Sequence, residues 1–504
     1  MKIADLEMAF RFSKRTTTSS LRRFILRVAA ILLGSFILVS LGRVFAQSAQ
    51  RTVNNNEDFV ITAAGDSIIM LPVNRDKENP RFLGVVNTIR EGDAAFTNVE
   101  EVFPADTTSA GAHSSNTYMG APGIVMKSLT WMGFNLFGAS NNHGNDYGQQ
   151  GMLDTMKVFQ DEGVTYAGMG TTLTKARAAA YLDTARGRVA LISTASSMWE
   201  DAAAGDPRGD RPGRVGLNPL RFNTVFRIDQ ATWDELNNLN GRPGITNQLE
   251  TPSGGHQAGL WGTQLAENVA LKKGTMRFAG RTYELSDKPG VYTSFNAQDL
   301  AGITRSIRDG KARADYVVTG IHTHESGDGG LFTPPQFLEQ FARAAVDAGC
   351  DVFVGHGPHV LRGIEIYKGK VIFYSLGAFF FQNDLTPTQP TEEYNRFEMK
   401  DDARPSELFG LRSTGPGGNQ TTEFWQSAIA RVAFSKGHPT QVVLTPIAIR
   451  KKEGGLPRYG VPEIADPVLG AKILNDLVRL SRPYGTVITI RDGKGYIDIP
   501  QTPN

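Results

Sequence analysis

The chain has 504 residues, 40% hydrophobic and 21% charged, a globular balance with room for one large elaborated domain or two to three ordinary ones. Its 53 Lys/Arg and 51 Asp/Glu are unevenly spread: the first 46 residues hold eight basic and two acidic side chains, leaving 45 basic against 49 acidic beyond them. That mildly acidic remainder argues against a basic nucleic-acid surface, and a single cysteine, Cys350, excludes an internal disulfide. Cys350 lies in an apolar run and reads as a small buried hydrophobe.

The N-terminus reads as an export signal. Arg11, Lys14, Arg15, Arg22, Arg23 and Arg27 precede an apolar run from Val28 to Gly42, and Val44-Phe45-Ala46 offers small residues for cleavage after Ala46. The run is 15 residues, short of the roughly 20 of a membrane span, so a cleaved signal is favoured over a retained anchor that would keep membrane contact. Leu21 to Arg27 also resembles a twin-arginine signal. Gln47 to Asn56 has linker composition, so residues 1–57 form a leader, and the rest is expected outside the cytoplasmic membrane, in the periplasm or at the cell surface.

Beyond the leader, apolar runs and amphipathic stretches alternate. Phe59 to Ala64 predicts a buried strand ended by Gly65-Asp66, and Phe82 to Ile89 a helix. Ala94 to Thr97 predicts a strand leading to Asn98-Val99-Glu100, Ile124 to Met132 a helix, and Phe134 to Gly138 a strand before Asn141-Asn142-His143. Gly151 to Glu162 carries Met152, Met156 and Phe159 on one helical face, and Val164 to Ala167 and Arg188 to Ile192 predict strands. From Ala202 to Asp299 the rhythm fails, which predicts an irregular insertion placed as a lid. Alternation resumes with Tyr316 to Val318, a helix from Pro335 to Ala348, Val352 to Val354, and a hairpin from Ile364 to Tyr374 turning at Lys368-Gly369. A polar loop covers Gln382 to Thr422; strands Ile429 to Phe434 and Gln441 to Ile449 and a helix from Pro467 to Leu480 follow. The expectation is a layered α/β domain over 58–390, with 391–504 packing on it.

Five polar clusters each follow an apolar run: Gly65-Asp66, Asn98-Val99-Glu100, Asn141-Asn142-His143, Ile321-His322-Thr323-His324-Glu325, and Gly355-His356-Gly357-Pro358-His359. Carboxylate, amide oxygen and imidazole are the ligands of a borderline divalent cation, and strand ends are where α/β folds collect functional groups. The pattern points to a metal-centred hydrolytic site. Each cluster also has a plainer reading: Gly-Asp as a turn, Asn142-His143 as a helix cap, His322 as a satisfied core residue. His324 reads as structural or substrate-facing rather than a ligand. His113, His256 and His438 sit in loop-like contexts, and Ser375 lacks a nucleophile-elbow motif.

Asn141 to Gly148, Gly355 to Val360 and Phe373-Tyr374-Ser375-Leu376-Gly377 resemble the signatures of the CapA family of bacterial capsule and poly-γ-glutamate synthesis proteins. The resemblance spans roughly residues 58–200 and 312–382, and that family is similar to the calcineurin-like metallophosphoesterases. It implies a β-sandwich flanked by helices, with one or two divalent ions (Mn, Fe or Zn) at the strand ends. Position by position it implies metal ligands at Asp66, Glu100, Asn142, His322, His356 and His359, with Glu100 where the superfamily has a bridging aspartate. The departures are Ile68 where the superfamily has a histidine, two residues rather than one between His356 and His359, and Ala378 where CapA proteins usually have Asn.

Chemistry assigns the remaining roles. His143 suits a general acid or transition-state donor, Asp146 the orientation of its ring, and Glu325 an outlying carboxylate or general base. The resemblance implies an exported, metal-dependent, hydrolase-like protein acting on an anionic polymer beside the capsule synthesis and export machinery. The alternatives are an exported phosphoesterase acting on nucleotides or lipid-linked phosphates, and a non-catalytic component that grips polymer.

Overall fold

The computed structural model describes residues 58–112, 114, 117–240, 242, 273–279, 281–414, 422–451 and 458–500. The leader, His113, His256 and much of the insertion lie outside them. Among the described residues no helix is long and apolar enough to cross a membrane.

The main strands, in chain order, are β1 (Phe59–Ile68), β2 (Ala94–Val99), β3 (Leu136–Gly138), β4 (Thr165–Ala167), β5 (Ala180–Thr184), β6 (Gly187–Ala195), β7 (Tyr316–His322), β8 (Val352–His356), β9 (Ile364–Tyr367), β10 (Lys370–Phe373), β11 (Ala378–Phe381), β12 (Gln426–Ser435) and β13 (His438–Ile449). The first sheet runs β13-β12-β1-β2-β3-β4, with β11 beside the end of β1; the second runs β9-β10-β8-β7-β6-β5. In each, the site-bearing strands are parallel, so their carboxyl ends share one edge.

The two sheets bury one core between them. Phe59, Ile61, Ala63, Phe96 and Leu136 face inward from the first, and Val189, Leu191, Val318, Val352 and Val354 from the second. This is period-two alternation on both sheets, and each large apolar side chain so buried contributes about 1.5–3 kcal/mol relative to exposure. The outer faces take helices: α1 (Pro80–Arg90), α2 (Met126–Met132) and α3 (Gly148–Asp161) on the first sheet, α4 (Ala297–Lys311) and α5 (Gln336–Asp347) on the second. Asn79 caps α1 by accepting from the Arg81 amide, with Pro80 at the first helical position. The architecture is the helix-flanked β-sandwich expected from the sequence.

Strand β12 runs antiparallel to β1, Phe59 opposite Phe434, and so completes the first sheet from a distance of more than 350 residues in the chain. The β9–β10 hairpin turns where expected, with Lys368 and Gly369 both at positive φ, 49° and 72°.

Two expectations are corrected. The insertion is not irregular throughout: Phe222–Ile228, Thr275–Phe278, Arg281–Leu285 and Gly290–Phe295 form a four-stranded sheet, and Gln230–Asn240 is helical. Most side chains on these strands are only half-buried, so the strong alternation that marks a core strand is missing. The stretch from Gln382 to Thr422 likewise contains helices over Thr391–Arg396 and Pro405–Thr414.

Candidate metal centre

Each candidate ligand stands at or just past a strand end on the shared edge. Asp66 lies near the end of β1, Glu100 one residue past β2, His322 ends β7 and His356 ends β8. His322 and His356 are paired across β7 and β8, which sets their rings side by side. The backbone makes room. A Cβ on Gly65 would lie 1.7 Å from the Gly377 carbonyl oxygen, so the Ser375-Leu376-Gly377 segment can approach β1 only where residue 65 is glycine. Gly357, at φ 114°, lets its amide donate to Asp66 Oδ2 at 2.7 Å.

The side chains form two adjoining triads, Asp66/His322/His356 and Glu100/His324/His359, whose candidate ligand atoms within each triad all lie within 4.8 Å of one another. In the first, Asp66 Oδ1 is 3.0 Å from His356 Nδ1 and 3.4 Å from His322 Nδ1. In the second, Glu100 Oε1 is 3.6 Å from His359 Nε2 and 3.9 Å from His324 Nε2. His322 faces both, because its Nε2 is 3.0 Å from His324 Nε2 and 3.6 Å from Glu100 Oε1. His359 reaches inward from a left-handed backbone at φ 56°, a conformation a non-glycine residue holds only when its surroundings enforce it.

Electrostatics favour a cation here. Burial pushes the Asp66 carboxyl up, but His356 and hydrogen bonds with His322, His356 and His359 outweigh it and hold the group well below the usual range. Burial and then the neighbouring carboxylates of Asp66 and Glu101 push Glu100 well above it. Burial lowers His322 to about 4 and holds His324 well below its ordinary value, keeping both imidazoles neutral and able to ligate. Both Glu100 carboxylate oxygens are buried without a hydrogen-bond partner. A buried carboxylate beside a second one, next to the neutral imidazoles of His322 and His324, favours a positive charge, and this donor set fits a borderline divalent ion.

The other predicted residues fall as follows. His143 Nε2 is 4.0 Å from Glu100 Oε1, and its Nδ1 is 2.7 Å from Asp146 Oδ2. Asp146 is held in turn by the Met119 amide, which donates to it at 2.7 Å. Asn142 is buried on the same loop, while its neighbour Asn141 donates from Nδ2 to the Val99 carbonyl and so ties this loop to β2. Glu325 accepts from Ser196, Ser197 and Thr323 hydroxyls at 2.7–2.9 Å, so its carboxylate braces the loop carrying His324. Cys350 is buried, and Ser375 Oγ accepts from the Gly377 amide in a turn. His438 is exposed at the start of β13.

Sequence reasoning set His324 aside as structural or substrate-facing, whereas the structure places it among the candidate ligands. The signal was present: His322 and His324 are two apart at the end of a strand, and in extended backbone that spacing puts both rings on one face.

Known proteins bear on this arrangement. A family model described as bacterial capsule synthesis protein PGA_cap matches residues 60–383. The Sinorhizobium fredii protein y4sH is 34% identical over 88% of this chain and 93% of its own length. The capsule biosynthesis protein CapA of Bacillus anthracis is 24% identical over 72% of this chain and 70% of its own. The PGA biosynthesis protein CapA of Bacillus subtilis is 27% identical over 61% and 62%. With the model covering well over half of the sequence, the chain belongs to the bacterial capsule synthesis protein PGA_cap family, whose fold is calcineurin-like.

Proposed function

We propose that this chain is an exported, metal-dependent hydrolase of capsule or poly-γ-glutamate assembly, acting on an anionic polymer at the envelope. The observation that carries the reading is the pair of adjoining triads at the common edge of the two sheets. Relatives named for capsule and PGA biosynthesis support a role in making such a polymer, and the capsule synthesis and export machinery is the partner this reading proposes. Asp66, His322 and His356 would hold one divalent ion, and Glu100, His324 and His359 a second; Mn, Fe and Zn all suit the donors.

Bound there, such ions supply Lewis acidity toward an oxygen of the attacked bond. The chain's own groups do the rest. Asp146 accepts the proton of His143 Nδ1 and thereby turns Nε2 toward Glu100 and the substrate side. With a proton on Nε2, His143 would donate to the leaving group, its ring held in place by Asp146. Glu325, bound to three hydroxyls, keeps the His324 loop in place.

The test begins with elemental analysis of protein purified without added metal, then incubation with poly-γ-glutamate and separately with an aryl phosphate plus Mn²⁺. Polymer shortening without phosphatase activity supports the proposal. Phosphatase activity abolished by His143→Ala would move the assignment to a phosphoesterase of nucleotides or lipid-linked phosphates, a reading the intact His143–Asp146 pair also fits. Metal content near zero would leave a polymer-binding component without catalysis.

A further inference from the structure

Directly beneath the triads, the inward faces of the two sheets carry a layer that is polar where the core below is apolar. On the first sheet Asn98 and Gly138 are paired across β2 and β3. On the second, Ser193 is paired with Gly320 across β6 and β7, and His356 lies on β8 two residues past Val354, which pairs with Gly320. Asn98, Ser193 and His356 are each at most 1% exposed. Asn98 Oδ1, Ser193 Oγ and His356 Nε2 are all buried without a hydrogen-bond partner.

These three atoms border one aromatic ring. A Cβ built on Gly138 would stand 3.1 Å from Asn98 Oδ1 and 3.3 Å from both Ser193 Oγ and Phe96 Cζ. A Cβ built on Gly320 would stand 2.9 Å from the same Phe96 atom and 3.5 Å from His356 Nε2. The polar atoms therefore gather around the tip of the Phe96 ring, between two residues without side chains.

Their chemistry is complementary. Asn98 Nδ2 donates to Asp66 Oδ1 at 2.8 Å, which fixes the amide so that Oδ1, an acceptor, points into this space. His356 presents Nδ1 to Asp66, 3.0 Å away, and when Nδ1 ligates, the ring proton sits on Nε2. That proton needs an acceptor, since a histidine that ligates metal usually gives its other N–H to a carboxylate, carbonyl or water. A water that accepts from Nε2–H and donates to Asn98 Oδ1 and Ser193 Oγ has the two to four partners a buried water requires.

We infer that Asn98, Ser193 and His356 hold one buried water beneath the metal ligands, and that Ser193 acts through this water as a positioning residue that fixes His356 as an Nδ1 ligand. The inference rests on the metal-binding reading above, and its two measurements separate the failures.

The first is a high-resolution crystal structure of the full chain. A density peak within hydrogen-bond distance of all three atoms is expected; no peak there overturns the water, whether or not metal is bound. The second is titration with Mn²⁺. Ser193→Ala should bind Mn²⁺ about 10–100-fold more weakly at unchanged melting temperature of the metal-free protein. Wild-type affinity in Ser193→Ala overturns the positioning role. A wild-type chain that takes up no Mn²⁺ overturns the same role together with the functional reading. If Ser193→Ala fails to fold, Gly138→Ala, which adds a methyl to the same space and keeps every polar group, is read by the same affinity.

Discussion

His324 Nε2 lies 3.0 Å from His322 Nε2, although the two residues are separated by only Thr323. Two neutral imidazoles at that separation, His322 buried and His324 partly so, each also near Glu100 Oε1, are arranged as corners of a coordination polyhedron rather than as a stacked pair. His324→Ala should therefore lower the metal bound per chain, and His356→Ala should do so through the other triad. The exposed His438, changed to Ala, should leave metal content as in the wild type. Mass spectrometric metal analysis of the three proteins decides it, and equal loss in all three would contradict the assignment.

His143 and Asp146 are expected to act on the reaction rather than on metal retention. His143→Ala should lower turnover about 10²–10⁴-fold with metal content preserved. Asp146→Asn should give a smaller loss, because Asn keeps the Met119 amide as a donor partner but no longer offers His143 Nδ1 a carboxylate. If His143→Ala loses metal in proportion to activity, the proton-donor role is wrong.

How much of this was legible beforehand depended on the physics each element obeys. β1, β2, β7 and β8 announced themselves because both faces are buried, so apolar runs ended abruptly at Asp66, Asn98, His322 and His356. The insertion's strands did not, because their side chains are half-exposed and one pairing, Thr282 with Val225, joins segments more than 50 residues apart. His324 was set aside as a ligand because it lies two residues past the strand end at His322. The bracing role of Glu325 depends on Ser196 and Ser197, which arrive from a different strand and leave no mark in local sequence.

Arg362 offers a test of how the two histidine loops are tied. Its side chain is fully buried, with Nη2 donating to the Glu325 carbonyl at 2.8 Å and Nε to the Leu331 carbonyl at 3.0 Å. It thereby joins the segment after His359 to the segment after His324. Burial lowers its pKa to about 10, so it stays charged at neutral pH. Arg362→Ala should lower stability by about 2–4 kcal/mol, since it removes both charged hydrogen bonds and leaves two carbonyls unpaired. Urea unfolding measures this, and a midpoint unchanged from wild type would show that the loops are held by other contacts.

Cys350 provides the pH dependence with the clearest sign. Burial pushes its thiol from 9.0 up to about 12, so the folded chain keeps its proton where the unfolded chain gives it up. The stability this contributes is fully present below about pH 9 and is lost as pH rises toward 12, because over that window the unfolded state binds fewer protons. Comparison with Cys350→Ala isolates the effect, since every tyrosine and lysine is common to both proteins. The stability difference between the two should stay level up to about pH 9, then shrink by at most about 1.4 kcal/mol per pH unit. The same burial predicts that iodoacetamide alkylates Cys350 at pH 8 only after denaturant is added. Rapid alkylation of the native protein would place the thiol at the surface and remove the premise of the pH argument.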